Sequence, residues 1–372
     1  MTPQILFVSK PVIPPFNDGS KCLVRDIAGA LQAYTPRVMI TRGAGTWAPD
    51  ILGAKVYAGV GGYSPAIIEN ARVFAWLLTQ SRDSLWHFLF APNPRTSQIG
   101  RFLKRVRRIP VVQTIASPPR SFREPEKLLF GDVAVAQSQW TKSEFLRAYA
   151  DLRLERVPPI EVIPPSVPDL KRPSTDRMQA IRAKLEITSD TPILLYPGDL
   201  EVDSARDAVE SIIEPLLSEA PEARIVFAYR RKTARAAEIA ARMQARLPGQ
   251  SVRFMAEVSD MHALVATSCL VLFPVHDLYG KVDLPIVVLE AMHFGVPVVT
   301  VDQGPLRELQ GPWQIQPGDN RGLLRAALRA LWDVAARLAC VEAQRLTIER
   351  EHRPARIANQ YETIYDSLLG PA

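Results

Sequence analysis

The fold is decided by the stretch from residue 281 to residue 309, which reads Lys281-Val-Asp-Leu-Pro-Ile-Val-Val-Leu-Glu290-Ala-Met-His-Phe-Gly295-Val-Pro-Val-Val-Thr300-Val-Asp-Gln-Gly304-Pro-Leu-Arg-Glu308-Leu. Its pattern predicts a loop, a short helix, a tight turn, a buried strand and a second loop that opens another helix. Pro285 suits the first turn of a helix, and Gly295 suits the left-handed position that ends one. The β-branched run from Val298 to Val301 predicts the strand.

Polar residues of the same stretch suit a nucleotide sugar. Gly304 leaves the predicted strand just before a helical segment, whose free N–H groups favour an anion. Asp283 and Glu290 lie seven residues apart, about two helical turns, so both carboxylates are expected to face one cleft. The acids would bind hydroxyl groups, and the backbone amides would bind phosphates.

This pattern resembles the donor-binding signature of retaining glycosyltransferases of the GT-B fold, in the large family four. The signature has a Glu, seven residues, Glu-Ala-Met, a Gly and Pro-Val-Val, with a Gly-x-x-x-Glu loop following. The matching residues are Glu290-Ala291-Met292, Gly295, Pro297-Val298-Val299, Gly304 and Glu308. The resemblance implies donor-binding roles for Glu290, Gly304 and Glu308. The first Glu is absent, since Val282 occupies its place between Lys281 and Asp283.

The resemblance implies an α/β fold of the GT-B type, with two Rossmann-like doubly wound domains facing across a cleft. A chain of 372 residues is long enough for two domains, and helix patterns alternate with strand patterns in both halves. We expect an N-terminal acceptor-side domain over 1–168 and a C-terminal nucleotide-sugar-binding domain over 169–350. A C-terminal helix within 351–372 is expected to cross back and pack on the first domain.

Strand and helix signals fill in this outline. Strands are predicted at 5–9, 38–41, 86–90, 110–114, 133–137, 161–165, 193–196, 224–229, 252–255, 269–274 and 298–301. Pro215 lies within an apolar helix face and predicts a kink. Asp319 predicts the cap of a long helix that runs through Trp332.

The positive charge that would neutralise a donor diphosphate is expected from basic residues other than those of the family pattern. Family members usually carry Gly-Arg after the first strand of the second domain and a Lys a few residues later. The matching turn here is Gly198-Asp199-Leu200-Glu201, so the glycine is kept and the charge is reversed. Arg230, Arg231 and Lys232 follow the next predicted strand, and they suit a leaving diphosphate at the same edge of the sheet. The alternative is a surface basic run.

Three residues are candidates for catalysis: Asp283, Lys281 and Arg231. Asp283 either caps the helix start or replaces the missing Glu at sugar hydroxyls. Lys281 is either a phosphate or sugar contact or a plain loop cation. Glu290 has apolar neighbours, and because a buried Glu without a partner is costly, a ribose contact is favoured over a solvated helix position.

In the first domain, the segment Asn17-Asp18-Gly19-Ser20 takes the place of the family's glycine-rich loop, which borders the donor phosphates and the acceptor. The resemblance therefore makes Asp18 and Gly19 donor-binding candidates, although the customary second glycine is absent. The family often has a His near the donor sugar, but the corresponding segment 111–119 has none. His87 is interpreted as structural.

Composition excludes several other classes of protein. No apolar window is long enough for a transmembrane helix, and the first residues resemble a strand and not a signal peptide. The three cysteines lack metal spacing and do not indicate a disulfide framework, so a cytoplasmic location is expected. The basic segment 101–108 is interpreted either as a peripheral contact with the inner face of a membrane or as a solvated helix face.

We expect a retaining, metal-independent transfer of a sugar from a UDP- or GDP-sugar to the hydroxyl of a sugar, lipid-linked or small-molecule acceptor. The nucleotide sugar is then a substrate, and neither a cofactor, a metal nor a nucleic-acid partner is expected. The missing first Glu and Gly-Arg motivate an alternative, a non-catalytic GT-B-like protein that binds a nucleotide sugar or acts as a partner. A nucleotide-sugar epimerase has less support, because such enzymes usually show other acids and histidines.

Overall fold

The structure, a computed structural model, describes residues 2–16, 18–59, 66–80, 84–154 and 156–370. The chain divides into two compact units. Unit 1 comprises Met1–Pro168, Leu278–Ile286 and Glu351–Ala372, and unit 2 comprises Asp169–Asp277 and Val287–Arg350. The short segment Leu278–Ile286 therefore packs with unit 1, although both of its flanks belong to unit 2.

The described elements alternate along the chain. The strands are β1 (Gln4–Val8), β2 (Thr35–Thr41), β3 (Leu52–Tyr57), β4 (Leu85–Phe90), β5 (Val111–Ile115), β6 (Val133–Ala136), β7 (Ile160–Val162), β8 (Ile193–Tyr196), β9 (Arg224–Tyr229), β10 (Val252–Ala256), β11 (Leu270–Phe273), β12 (Val298–Val301) and β13 (Trp313–Ile315). The helices are α1 (Gly19–Ala30), α2 (Ile67–Thr79), α3 (Pro94–Arg107), α4 (Pro125–Leu128), α5 (Gln139–Asp151), α6 (Thr175–Lys184), α7 (Asp203–Ser211), α8 (Ile213–Glu219), α9 (Ala234–Arg246), α10 (Met261–Ala266), α11 (Ile286–His293), α12 (Asn320–Trp332), α13 (Val334–Glu351) and α14 (Pro354–Leu369), with a 3₁₀ helix at Gly304–Glu308.

Each unit is built on a parallel sheet. In the described part of unit 1 the strand order is β3-β2-β1-β4-β5-β6-β7, and in unit 2 it is β10-β9-β8-β11-β12-β13. Both orders reverse direction beside the first strand of the unit, the arrangement of a doubly wound dinucleotide-type fold. The expected GT-B class with two Rossmann-like domains is thereby confirmed.

The strands form where the sequence is apolar on both faces. β8 and β12 are buried along their whole length, as expected for strands of a parallel sheet that helices cover on both sides. Polar caps start several helices: Ser138 accepts a hydrogen bond from the N–H of Thr141 at α5, and Asp319 accepts one from Gly322 at α12. The predicted cap at Asp319 is therefore confirmed.

Most predicted elements agree with the structure to within a few residues. The predicted kink at Pro215 is a full break, since α7 ends at Ser211 and α8 begins at Ile213. The proline ring cannot pack against the carbonyl of Ser211, four residues earlier, so the helix is interrupted there. The sequence analysis missed β3 and β13, and it missed the long helix α13.

Helix α14 belongs to unit 1 and packs into its core. Tyr361 and Tyr365 are fully buried, and the Tyr365 hydroxyl lies 2.8 Å from Nδ1 of His87. Nε2 of His87 lies 2.7 Å from Oγ1 of Thr114, which also contacts the Tyr361 hydroxyl. Burial lowers the pKa of His87 to about 3, so the neutral ring joins α14 to the sheet. This geometry agrees with the structural role predicted for His87.

Candidate functional site

In unit 2, an acidic turn and a basic cluster meet at the carboxyl ends of two neighbouring strands. Asp199 follows β8, is 6% exposed, and accepts hydrogen bonds from Nη2 of Arg230 at 3.1 Å and from Nζ of Lys232 at 2.8 Å. Because β8 and β9 pair in parallel, the residues that follow them reach the same edge of the sheet. Arg230 and Lys232 are thus held in place, with two positive charges around one negative charge.

Arg231 stands apart from this pairing. Its backbone N–H donates to Oε1 of Glu257 at 2.7 Å, while its side chain is exposed. Within the described residues, the Arg231 guanidinium forms no hydrogen bond or ion pair. The alternation of side chains along an extended segment explains the difference, because Arg230 and Lys232 point to one side and Arg231 to the other.

Gly198 is required by the packing of the same turn. A Cβ atom at this position would lie 2.6 Å from the hydroxyl oxygen of Tyr196, which is completely buried. The Tyr196 hydroxyl donates to the carbonyl oxygen of Asp199 at 3.3 Å. The glycine therefore lets the turn fold over the tyrosine and sets the direction in which the Asp199 side chain leaves it.

Glu290 has a partner that the sequence analysis missed. It lies on α11, is 6% exposed, and its Oε1 is 3.1 Å from Nε2 of His262 on α10. The His262 ring also packs edge-on against Phe294. Glu290 is therefore buried, as its apolar neighbours predict, and the imidazole of His262 orients one of its carboxylate oxygens. The only sequence signal was the Asp260-Met-His spacing at a helix start, which does not identify a partner.

The helical segment predicted after β12 is present as a short 3₁₀ helix. Gly304 has a φ angle of +57° and opens a 3₁₀ helix of five residues, not an α-helix. Glu308 ends this turn and is exposed. Gly295 ends α11 at a φ of +70°, in the left-handed conformation predicted for it.

In unit 1, the loop between β1 and α1 is held by charge and by close packing. Asp18 caps α1 by accepting the N–H of Ser20 at 2.9 Å, and its other oxygen lies 3.2 Å from Nζ of Lys10. Asn17 lies outside the described residues. A Cβ atom on Gly19 would lie 2.7 Å from Cγ2 of Val282, so the glycine is required for the approach of the segment Leu278–Ile286.

Lys21 is a further cation near this loop that the sequence analysis missed. It is only 8% exposed, and burial lowers its pKa, with Asp18 acting in the opposite direction. The described residues offer its ammonium group no hydrogen bond or ion pair. The sequence signal was a lysine within the apolar helix start Lys21-Cys-Leu-Val.

Asp283 lies in unit 1, three residues before α11 begins. Its side chain is fully buried, and Oδ2 accepts a hydrogen bond from Oγ of Ser138 at 2.7 Å. Ser138 is the cap of α5, so Asp283 fastens the segment Leu278–Ile286 to the carboxyl end of β6 and the start of α5. The expected spacing of Asp283 and Glu290 along one helix is wrong, because α11 does not extend back to Asp283. Lys281 is partly exposed in the same segment, beside the buried Val282.

Comparison with known families agrees with this geometry. The model of the family glycosyl transferases group 1 matches residues 191–333, which comprise most of unit 2 together with the segment Leu278–Ile286 of unit 1. The matched range includes the Asp199 turn, the basic cluster and Glu290. These residues therefore match the glycosyl transferases group 1 family, and the resemblance of the sequence to GT-B glycosyltransferases is confirmed. A comparison with curated proteins finds no match.

Solved structures share the whole fold at low sequence identity. Anabaena HepE in complex with UDP-glucose is 16% identical with a TM-score of 0.71, covering 98% of this chain and 100% of that chain. Sucrose-phosphate synthase from Thermosynechococcus elongatus is 18% identical with a TM-score of 0.74, covering 98% and 99%. A glycosyltransferase from Rickettsia africae is 16% identical with a TM-score of 0.72, covering 100% of both chains. At these identities the likeness establishes the fold.

Proposed function

We propose that the protein transfers a sugar from a nucleoside-diphosphate sugar to an acceptor hydroxyl, with retention of the anomeric configuration. The observation that carries the proposal is the pairing of Arg230 and Lys232 at the Asp199 turn, within the residues that match the glycosyl transferases group 1 family. The turn itself lacks the usual positive charge. These two side chains supply it at the carboxyl edge of the sheet, where doubly wound folds bind their ligands.

In this proposal the two cations stabilise the leaving diphosphate. Arg230 presents a planar pair of donors, and Lys232 presents a compact charge, so together they match the non-bridging oxygens of a diphosphate. Stabilising the charge that develops on the leaving group is the main catalytic term. Because side chains provide this charge, the proposed reaction requires no metal ion.

Glu290 binds the ribose hydroxyl groups of the donor. Its carboxylate is buried beside His262, which leaves the second oxygen to accept a hydrogen bond from a ligand. Asp283 and Lys281 act in place of the missing first Glu, and Gly304 and Glu308 border the donor as the resemblance implies. The departing phosphate oxygen takes the proton of the acceptor hydroxyl on the same face of the sugar, so no protein nucleophile is assigned.

The donor is a UDP- or GDP-sugar, and UDP-glucose is the first to test, because HepE, which shares the fold, has been solved in complex with UDP-glucose. The acceptor is a sugar, a lipid-linked sugar or a small molecule. The test is to incubate the protein with UDP- and GDP-sugars, with and without acceptors, and to quantify free nucleoside diphosphate. Acceptor-dependent release that persists in a metal chelator supports the proposal. NMR of the product should show the anomeric configuration of the donor.

A non-catalytic nucleotide-sugar-binding protein is the second candidate. It is favoured by Val282 in the place of the first Glu and by the engagement of both cations with Asp199. The same experiment separates the two functions. A binder is stabilised by a nucleotide sugar, by about 2.7 kcal/mol at 100 times the dissociation constant, but releases no diphosphate with any acceptor.

A further inference from the structure

One face of unit 1 combines exposed apolar side chains with arginines. Five large apolar residues on α2 and α3 are strongly exposed: Ile67 (89%), Ile68 (69%), Ile99 (47%), Phe102 (51%) and Val106 (52%). We call these residues, together with Arg95, Arg105 and Arg108, the α2–α3 face. Clustered apolar exposure of this kind marks an interaction surface more often than scattered single residues do.

The apolar residues of α3 form a stripe that reaches α2 through Phe74. On α3, Ile99, Phe102 and Val106 recur at intervals of three and four residues, so they share one side of the helix. The Phe102 ring lies 6.0 Å from the ring of Phe74 on α2. Phe74 is seven residues from Ile67, about two helical turns, which places Ile67 on the same side of α2. The stripe therefore extends from one helix to the other.

The charges on the α3 side of this stripe are all positive, whereas Glu69 on α2 is paired with Arg72. Residues 91–108 contain six Arg or Lys and no Asp or Glu. Three of the six are tied to the fold: Arg101 donates to the carbonyl oxygen of Leu129, Lys104 pairs with Asp132, and Arg107 donates to the carbonyl oxygen of Leu78.

The other three cations are Arg95, Arg105 and Arg108, and all three are exposed. Their guanidinium groups have no hydrogen bond or ion pair to any described residue. They remain available to an anionic ligand.

We propose that the α2–α3 face docks unit 1 onto an anionic lipid bilayer. A bilayer presents negative headgroups above an apolar layer, which matches an apolar stripe flanked by free arginines. Peripheral binding generally needs two signals, apolar insertion and electrostatic attraction, and this face provides both. Among the described residues, no helix combines the length and hydrophobicity that crossing a bilayer requires, so the contact would be peripheral.

The test uses the full chain and vesicle co-sedimentation. Vesicles of equimolar phosphatidylcholine and phosphatidylglycerol should bind the protein at least tenfold more tightly than pure phosphatidylcholine, and high salt should weaken the binding. Phe102→Ser with Val106→Ser should reduce the binding at least tenfold. Replacing Arg95, Arg105 and Arg108 by Ser should reduce it on the order of 100-fold, since each arginine near the surface contributes about fivefold.

A matched control uses exposed leucines of α13 in unit 2. Leu338 and Leu346 are 63% and 52% exposed, so Leu338→Ser with Leu346→Ser removes similar apolar area and should bind vesicles like the wild type. If Phe102→Ser with Val106→Ser does not fold, Val106→Ser alone serves, because it leaves the ring contact between Phe102 and Phe74 intact. Nucleotide-sugar binding without vesicles should be unchanged in all variants, which separates this proposal from the proposed function.

Three results would overturn the inference. The first is equal binding to charged and uncharged vesicles. The second is vesicle binding that the α2–α3 variants retain or that the leucine control loses equally. The third is a wild-type dimer that Phe102→Ser with Val106→Ser converts to a monomer in ultracentrifugation while vesicle binding persists, since the face would then join two copies of the chain.

Discussion

The ammonium group of Lys232 lies 2.8 Å from Oδ2 of Asp199, and Arg230 donates to the other oxygen of the same carboxylate at 3.1 Å. The acid thus holds two cations at the end of the β8 strand, where the family resemblance predicts a basic residue. The three charges sum to plus one. A diphosphate that binds there would meet two cations already in place. No further positive charge from elsewhere in unit 2 is then needed to neutralise it.

The basic cluster should divide into two functional residues and one control. Lys232→Ala or Arg230→Ala should lower turnover by about tenfold or more, because a lost charged hydrogen bond to the leaving group exceeds about 1.4 kcal/mol. Affinity for the free nucleoside should change little. Arg231→Ala removes the same charge from an exposed side chain and should keep near-normal turnover. Normal turnover in both the Lys232 and Arg230 variants would show that the diphosphate is neutralised elsewhere, with Lys281 the next candidate.

Gly19 and Val282 should be energetically coupled. Gly19→Ala places a methyl group 2.7 Å from Val282 and should destabilise the protein by about 1–3 kcal/mol, the usual cost of overpacking. Val282→Ala in the same chain should relieve the clash, and a double-mutant cycle from denaturant unfolding measures this coupling. Additive effects of the two substitutions would mean that the segment Leu278–Ile286 does not press on the α1 start.

Asp283→Asn separates a chemical role from a structural one. If Asp283 accepts a hydrogen bond from a donor-sugar hydroxyl, turnover should fall about tenfold or more while binding of the bare nucleoside diphosphate stays the same. Ser138→Ala is the matched variant, because it removes the hydrogen bond to Asp283 and leaves the carboxylate. Equal melting-temperature losses in both variants, with unchanged turnover per folded molecule, would restrict Asp283 to holding its loop.

His87 should make stability fall in mild acid. Burial lowers its pKa to about 3 in the folded protein, whereas the unfolded chain takes up the proton near pH 6.5. Its contribution is therefore complete above about pH 6.5 and decreases as the pH falls toward 3, by roughly 2 kcal/mol at pH 5. Unfolding curves at pH 7 and pH 5 should show this loss in the wild type and a smaller one in His87→Gln. His352, whose pKa burial also lowers, is common to both proteins. The same pH dependence in both would exclude His87 as its source.

The sequence predicts the fold well where burial is local and continuous. β8, β9 and β12 begin and end at the predicted residues because apolar runs in a parallel sheet are bounded by turn residues on both sides. β3 was missed because Gly53 and Lys55 interrupt its pattern and its first residues are exposed. The three residues of β13 are too few for any periodic signal.

The candidate site is predictable where it depends on strand order and unpredictable where it depends on distant contacts. Parallel pairing of β8 and β9 sufficed to place the basic cluster beside the Gly198 turn. No local pattern shows that Asp199 binds those cations, or that His262 meets Glu290. Asp283 was expected to face one cleft with Glu290 because seven residues, about two helical turns, separate them. It accepts a hydrogen bond instead from Ser138, 145 residues earlier in the chain.

Titration calorimetry of Glu290→Gln and of the wild type with UDP- and GDP-sugars tests whether Glu290 binds the nucleotide-sugar donor. One nucleotide class should bind the wild type, and the variant, which keeps the shape of the side chain, should bind it about 1.5–3 kcal/mol more weakly. His262→Gln keeps the carboxylate and should lose less. Equal donor affinity of Glu290→Gln and wild type, or no binding of any nucleotide sugar to the folded wild type, would show that Glu290 does not bind a nucleotide-sugar donor.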